Sequence, residues 1–153
     1  MIIMGTPERK FQAFVEFLIA FVHDLNEMSR EGAVVFVEGK RDAAALAELG
    51  YRGRVLTAAS LTSGSAPPRR AKLVVILTDL DTEGRRLAAR YTKLFSHMGV
   101  HSTLVARRRL SSGSRGKFLH IENLRRFAPL PVVEDSIPRA SDHRLLGGRW
   151  IQE

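Results

Sequence analysis

The chain's folding options are narrowed most by two apolar runs with no polar alternation, Ala33-Val34-Val35-Phe36-Val37 and Leu73-Val74-Val75-Ile76-Leu77. A strand with one face in water alternates apolar and polar side chains. An unbroken β-branched and aromatic run needs cover on both faces, as in a parallel sheet between layers of helix. Each run stops at acidic residues: Glu38-Gly39 after the first, Thr78-Asp79-Leu80-Asp81 after the second.

Helical periodicity fills the intervals. Arg41 to Leu49 reads as a helix ended by Gly50, and Thr82 or Glu83 to Met98 as another ended by Gly99. The second has Leu87, Tyr91, Leu94, Phe95 and Met98 on one face. Shorter strands are expected near Arg54 to Thr57 and His101 to Val105. Strands alternating with helices predict an α/β domain with a mainly parallel, four-stranded sheet flanked by helices. Ahead of it, a helix starts at Thr6-Pro7-Glu8, with apolar residues at Phe11, Phe14, Val15, Leu18, Val22 and Leu25; Phe17, Ile19 and Phe21 widen the stripe almost all round. Such a helix must bury most of its surface, on a sheet face or against another subunit. Ser60 to Pro68 and Ser111 to Gly116 read as loops from their Ser, Gly and Pro content, and Ile121 to Phe127 as a short helix. The expected organisation is an apolar helix over 1–31, the α/β domain over 32–127 and a Pro-rich, extended tail over 128–153 that carries Trp150.

Charge and composition bound the partners. Among 153 residues, 24 Lys and Arg against 16 Asp and Glu leave a formal net charge of +8, which suits a polyanion. There is no cysteine, so thiol nucleophiles, disulfides and thiolate metal sites are excluded, and a metal must be held by oxygen or imidazole. Arg9 and Lys10 precede the apolar run Phe14 to Val22, but Glu16 interrupts it and no small-residue cleavage pattern follows. The run is also shorter than the roughly 20 residues that cross a bilayer. It reads as a buried helix, and the expected setting is cytoplasmic, with no membrane partner.

In open α/β sheets, ligands bind outside the carboxyl ends of the strands. If the two apolar strands lie side by side, Glu38, Asp79 and Asp81 converge there. The aspartates are two positions apart, so in an extended segment both point the same way. Grouped carboxylates repel unless a cation neutralises them, and the natural cation is Mg²⁺, a hard ion that takes a few carboxylates and keeps several waters. Asp81 and Thr82 could instead serve only the N-terminus of the following helix.

The segments Val34-Val35-Phe36-Val37-Glu38-Gly39-Lys40-Arg41-Asp42 and Val74-Val75-Ile76-Leu77-Thr78-Asp79-Leu80-Asp81-Thr82-Glu83-Gly84 resemble the two motifs of the Toprim domain. That domain is shared by topoisomerases, bacterial-type primases, certain nucleases and recombination proteins. The resemblance spans about residues 32 to 127 and is nearest to small stand-alone Toprim proteins of archaea and to the ribonuclease that matures 5S ribosomal RNA. It implies a Toprim-like, Rossmann-like fold, with Asp79 and Asp81 coordinating Mg²⁺, for which Mn²⁺ can substitute. Glu38 matches the family glutamate, near the metal and proposed as general acid or base. Gly39 would permit a tight turn and Gly84 a close approach of helix to strand end, while Lys40 would contact phosphate. Asp42 reads as a first-turn helix acid.

A basic rim is expected to complete the site. Arg107, Arg108 and Arg109 follow the last strand, with Arg115, Lys117, Arg125 and Arg126 soon after; Arg85, Arg86, Arg90 and Lys93 lie on the helix after Asp81. Arginine binds phosphate bidentately, so these residues are candidate nucleic-acid contacts. His23, His97, His101, His120 and His143 show no metal-ligand spacing and read as surface or packing residues. Tyr51 and Tyr91 do not read as topoisomerase nucleophiles, because Tyr91 lies on an apolar helical face and such enzymes carry that residue on a separate domain. The expected function is Mg²⁺-dependent phosphoryl transfer on nucleic acid, as a small nuclease on structured RNA more than on DNA. The rival expectation is a non-catalytic nucleic-acid-binding module, or a subunit of a larger nucleoprotein assembly. Small size favours the rival and the acidic triad favours the enzyme. A homodimer formed through the apolar N-terminal helix is a third arrangement.

Overall fold

A computed structural model describes residues 7–63 and 71–131. Ten elements follow in order: α1 (Pro7–Arg30), β1 (Ala33–Val37), α2 (Lys40–Leu49), β2 (Val55–Thr57), α3 (Ala58–Ser63), β3 (Leu73–Ile76), α4 (Thr82–His97), β4 (Ser102–Thr103), α5 (Val105–Ser114) and a 3₁₀ helix (Ile121–Phe127). The four strands form one all-parallel sheet in the order β2-β1-β3-β4. The two apolar runs are therefore the central strands, in register from Ala33 opposite Leu73 to Phe36 opposite Ile76.

Period-two alternation divides their side chains between two cores. Ala33, Val35, Val37, Leu73, Val75 and Leu77 face one way, packing with α1, α2, α5 and the 3₁₀ helix. Val34, Phe36, Val74 and Ile76 face the other, against Ala88 and Phe95 of α4, with Leu61 of α3 alongside. Phe36 is fully enclosed, with ring centroids 4.5 Å from Tyr91 and 5.5 Å from Phe95. Tyr91 thus serves as a wall of the core. Tyr51 is buried too, its hydroxyl donating to the Arg54 carbonyl.

Helix α1 settles on the sheet of its own chain: Leu18, Phe21 and Leu25 are completely buried, while Phe11, near its start, is 55% exposed. Against the first core, truncating one of the buried leucines removes about 2–5 kcal/mol.

Two segments read as loops are helical in part. Ser111 to Ser114 forms the last turn of α5, because its small residues let α5 approach α1: a Cβ on Gly113 would lie 2.4 Å from the Phe17 ring. The Ser/Gly content is a packing requirement there. Ser60 to Ser63 belongs to α3, which starts where Thr57 and Ser60 cap each other, the Ser60 amide donating to Thr57 Oγ1 and the Thr57 amide to Ser60 Oγ. The rest of that expected loop, 64–68, lies outside the described residues. β4 is shorter than expected because Val105 already opens α5. The expected short helix at Ile121 is a 3₁₀ helix. Of the expected tail only 128–131 is described; the remainder, including His143 and Trp150, lies outside the described residues.

Candidate metal centre

Sheet order 2-1-3-4 reverses direction between β1 and β3, and the crevice opens at their carboxyl ends. Glu38 and Asp79 leave the sheet at this point. The last regular rung between the strands is the Leu77 amide donating to the Phe36 carbonyl, at 2.8 Å. Where the next rung would fall, the Asp79 amide donates to Glu38 Oε2 instead, also at 2.8 Å. A side-chain carboxylate takes over from a backbone acceptor as the strands diverge, and this ties the two motifs together.

The turn after β3 is fixed from several directions. Asp81 is the N-cap of α4, its Oδ1 accepting from the Gly84 amide at 2.7 Å. The buried Thr78 hydroxyl donates to the Gly84 carbonyl at 2.7 Å. Arg107, from the first turn of α5, donates through Nη2 to the Asp79 carbonyl (2.6 Å) and through Nε to Thr78 Oγ1 (3.1 Å). Gly84 is pressed so close that a Cβ there would sit 1.8 Å from the Asp79 carbonyl oxygen. Gly39 has a different character. Its backbone is extended, with φ −150°, and a Cβ would meet nothing within 4 Å, so no tight turn demands glycine there. It caps α2, and its amide donates to the buried Asp42 carboxylate at 3.2 Å. Asp42 is the first-turn helix acid expected from its position.

Each aspartate spends one oxygen on a backbone amide. Asp79 Oδ1 accepts from the Ile121 amide at 2.8 Å, and its Oδ2 lies 3.3 Å from His120 Nδ1. Asp81 Oδ2 lies 3.8 Å from the same nitrogen. One ligand atom from each of Asp79, Asp81 and His120 is within 4.8 Å of the other two. His120, read as a surface or packing residue, is therefore drawn into the cluster. No local spacing could reveal it, because it arrives from the loop before the 3₁₀ helix. Glu38 and Asp42 border the group without joining that triangle; with Gly39, Lys40, Arg41, Asp79 and Glu122 they line a cleft of about 500 Å³. A second depression of about 470 Å³, between α3 and α4, is lined by Leu61, Tyr91, Leu94 and basic residues and holds no carboxylate.

Electrostatics follow from crowding. The Glu38 carboxyl is raised above its ordinary value, by burial first and then by Asp79, Asp42 and Asp81, against the lowering effect of the Asp79 amide. Burial, then Asp79, likewise raises Asp42. The His120 imidazole is raised by its bond to Asp79. Burial and the neighbouring Arg85 lower Arg107, while Asp81, Glu38 and Asp79 oppose them.

The expected basic rim is divided by helical geometry. Successive residues of a helix point about 100° apart, so Arg107, Arg108 and Arg109 cannot share one surface. Arg107 turns in beneath the acidic turn. Arg108 is exposed. Arg109 turns to α1, where it pairs with Asp24 at 2.8 Å and lies over the Phe17 and Phe21 rings. As phosphate contacts, Arg107 and Arg109 are thus already engaged within the fold. Arg115 and Lys117 are exposed at and just after the end of α5. Arg125 pairs with Glu48 and Arg126 lies over Phe118 and Phe127. The cations that border the acidic cleft are Lys40 and Arg41, at the start of α2, with Arg85 close enough to act on Arg107.

Among the described residues, no helix is long and apolar enough to cross a membrane. No family model matches the chain. In structure it is similar to a protein of Aquifex aeolicus, with a TM-score of 0.56 at 26% identity over 69% of this chain and 95% of that one. In sequence it is similar to a UPF0292 protein of Methanosarcina acetivorans, 35% identical over 66% of this chain and 72% of the relative. A UPF0292 protein of Methanosarcina barkeri is 33% identical, over 72% and 79%. One from Methanocaldococcus jannaschii is also 33% identical, over 57% and 70%. With relatives at 33–35% identity matched over more than two thirds of their own length, the chain belongs to the UPF0292 family.

Proposed function

We propose that this chain is a Toprim-like, divalent-metal-dependent phosphoryl-transfer protein acting on nucleic acid, and specifically a small nuclease on structured RNA. The observation that carries the reading is the convergence of Asp79 and Asp81 at the switch point of the sheet, tied to Glu38 through the Asp79 amide. Their donor chemistry fits the ion. Each aspartate commits one oxygen to a backbone amide and keeps one for a cation, and hard divalent ions take carboxylate oxygen.

Asp79 and Asp81 would hold the metal, which when bound offsets charge on a scissile phosphate. The ion is a hard divalent cation, Mg²⁺ or Mn²⁺. Glu38 supplies a proton-transfer group: burial first, then Asp79, Asp42 and Asp81, raise its carboxyl above its ordinary value against the lowering effect of the Asp79 amide, which favours its protonated form. Lys40 and Arg41 stand beside the cleft where a phosphate backbone would pass, and the α2 N-terminus adds its partial positive charge. Neutral and cationic donors around a carboxylate core allow a polyanion to approach that the bare acids would repel.

A cleavage assay on structured RNA and DNA with Mg²⁺ tests the reading, comparing wild type with Asp79→Asn and Glu38→Gln. Metal-dependent cleavage, lost in Asp79→Asn, is the expected result. Binding without cleavage, unchanged by Asp79→Asn, would leave the non-catalytic binding module as the correct description. Cleavage that survives Glu38→Gln would remove the proton-transfer role.

A further inference from the structure

His120 is held against the aspartate pair by more than its own side chain. The Leu80 amide donates to the Leu119 carbonyl at 2.7 Å, and the Ile121 amide donates to Asp79 Oδ1 at 2.8 Å. These two bonds, one to a backbone carbonyl and one to the Asp79 carboxylate, flank His120 on both sides and hold its Cα beside the turn that carries Asp79 and Asp81. Asp79 is consequently gripped at both oxygens by adjacent residues, the amide of 121 on Oδ1 and the imidazole of 120 near Oδ2. The Nδ1 atom lies 3.3 and 3.8 Å from the Oδ2 oxygens of Asp79 and Asp81. Isolated surface histidines are not fixed by backbone bonds to the groups they face.

We infer that His120 Nδ1 is the third protein ligand of the metal centre and makes it selective for Mn²⁺ or a neighbouring transition ion over Mg²⁺. The inference rests on the metal-dependent reading above and adds a nitrogen donor to its carboxylate pair. Mg²⁺ favours oxygen and water, whereas imidazole favours the first-row transition ions, whose affinity for such sites increases from Mn²⁺ onward. Two carboxylates and one imidazole, from two separate segments, would supply three donors to the ion. The side chain is 50% exposed, so it can turn by the small amount that replaces a contact with a carboxylate by a bond to an ion.

The test is direct metal binding, independent of cleavage. Free Mn²⁺ is followed by electron paramagnetic resonance, and Mg²⁺ is measured by its competition with Mn²⁺, in wild type, His120→Ala and His120→Gln. Wild type is expected to bind Mn²⁺ at least about tenfold more tightly than Mg²⁺. Both variants are expected to lose about tenfold or more in Mn²⁺ affinity while Mg²⁺ affinity stays within about twofold. Far-ultraviolet circular dichroism and the urea midpoint show that the variants are folded, which the half-exposed position favours. If both ions bind and their affinity ratio is the same in wild type and variants, His120 is not a ligand and the inference is wrong, while the carboxylate site stands. If wild type binds neither ion at millimolar concentration, the metal-dependent reading falls, and this inference with it.

Discussion

Replacing Gly84 by alanine probes whether the helix–strand contact at the acidic turn is as tight as it must be. An alanine Cβ would lie 1.8 Å from the Asp79 carbonyl oxygen and 2.4 Å from its carbon. Both are backbone atoms, so no side chain can swing away. Restoring ordinary contact requires the start of α4 to retreat from the turn by about 1.5 Å, and overpacking of this kind costs about 1–3 kcal/mol. The retreat also stretches the bond from the Gly84 amide to Asp81 Oδ1 and the one from Thr78 Oγ1 to the Gly84 carbonyl, each 2.7 Å in the native protein. A lost N-cap costs about 1 kcal/mol and a lost hydrogen bond about as much. Alanine's better helix propensity returns about 1 kcal/mol, so the net destabilisation is about 2–4 kcal/mol. For a chain of this size that lowers Tm by roughly 5–15 °C. Urea denaturation gives the free energy, and Mn²⁺ titration of the folded variant reads the displacement of Asp81. An unchanged urea midpoint together with unchanged metal affinity would refute the account of the turn as a backbone-locked element.

Arg107 and the shifted acids give two further predictions. Arg107→Ala strips the donors from the Thr78 and Asp79 carbonyls and should cost about 1–3 kcal/mol in urea denaturation; Arg107→Lys should recover less than half, since an ammonium cannot reproduce the fork, and a wild-type midpoint in Arg107→Ala would contradict the role. His120 holds its proton above the ordinary 6.5 in the folded chain, so its pairing with Asp79 stabilises fully below that pH and is lost as pH rises through the raised value. Glu38 is also raised, from 4.5, so its ionisation weakens the fold as pH rises through its folded value. Without metal, Glu38→Gln should therefore be more stable than wild type at pH 7 and lose that advantage in acid, while the deficit of His120→Gln relative to wild type should shrink from pH 6 to pH 8. Urea midpoints from acid to pH 8 check both, and an opposite slope in either variant would overturn the assignment of its shift.

Periodicity and composition settled what depends on neighbours in the chain. Two runs without polar alternation demanded cover on both faces, and the sheet provides it by sending Val35 and Val75 into one core and Phe36 and Ile76 into the other. The positions of Glu38, Asp79 and Asp81 at strand ends were equally legible, because a strand's end is a local event and parallel strands bring like ends together. Tertiary structure decided what depends on partners distant in sequence. Gly113 looks like a loop former until α1 comes within reach, and its missing side chain then makes room for Phe17. The three consecutive arginines look like one basic patch until a helix turns Arg107 to the acidic turn and Arg109 to α1, leaving Arg108 exposed. His120 carries no signal of its own; two amide hydrogen bonds between the 79–80 turn and the segment 119–121, one of them to the Asp79 carboxylate, bring it to the aspartates. The sequence by itself determined that carboxylates would gather at the edge of a parallel sheet, since strand ends and side-chain alternation follow from local sterics. That the His120 nitrogen joins them was decided only by the packing of the chain's last described segment, because contacts across such distances are chosen by burial and hydrogen bonding rather than by spacing.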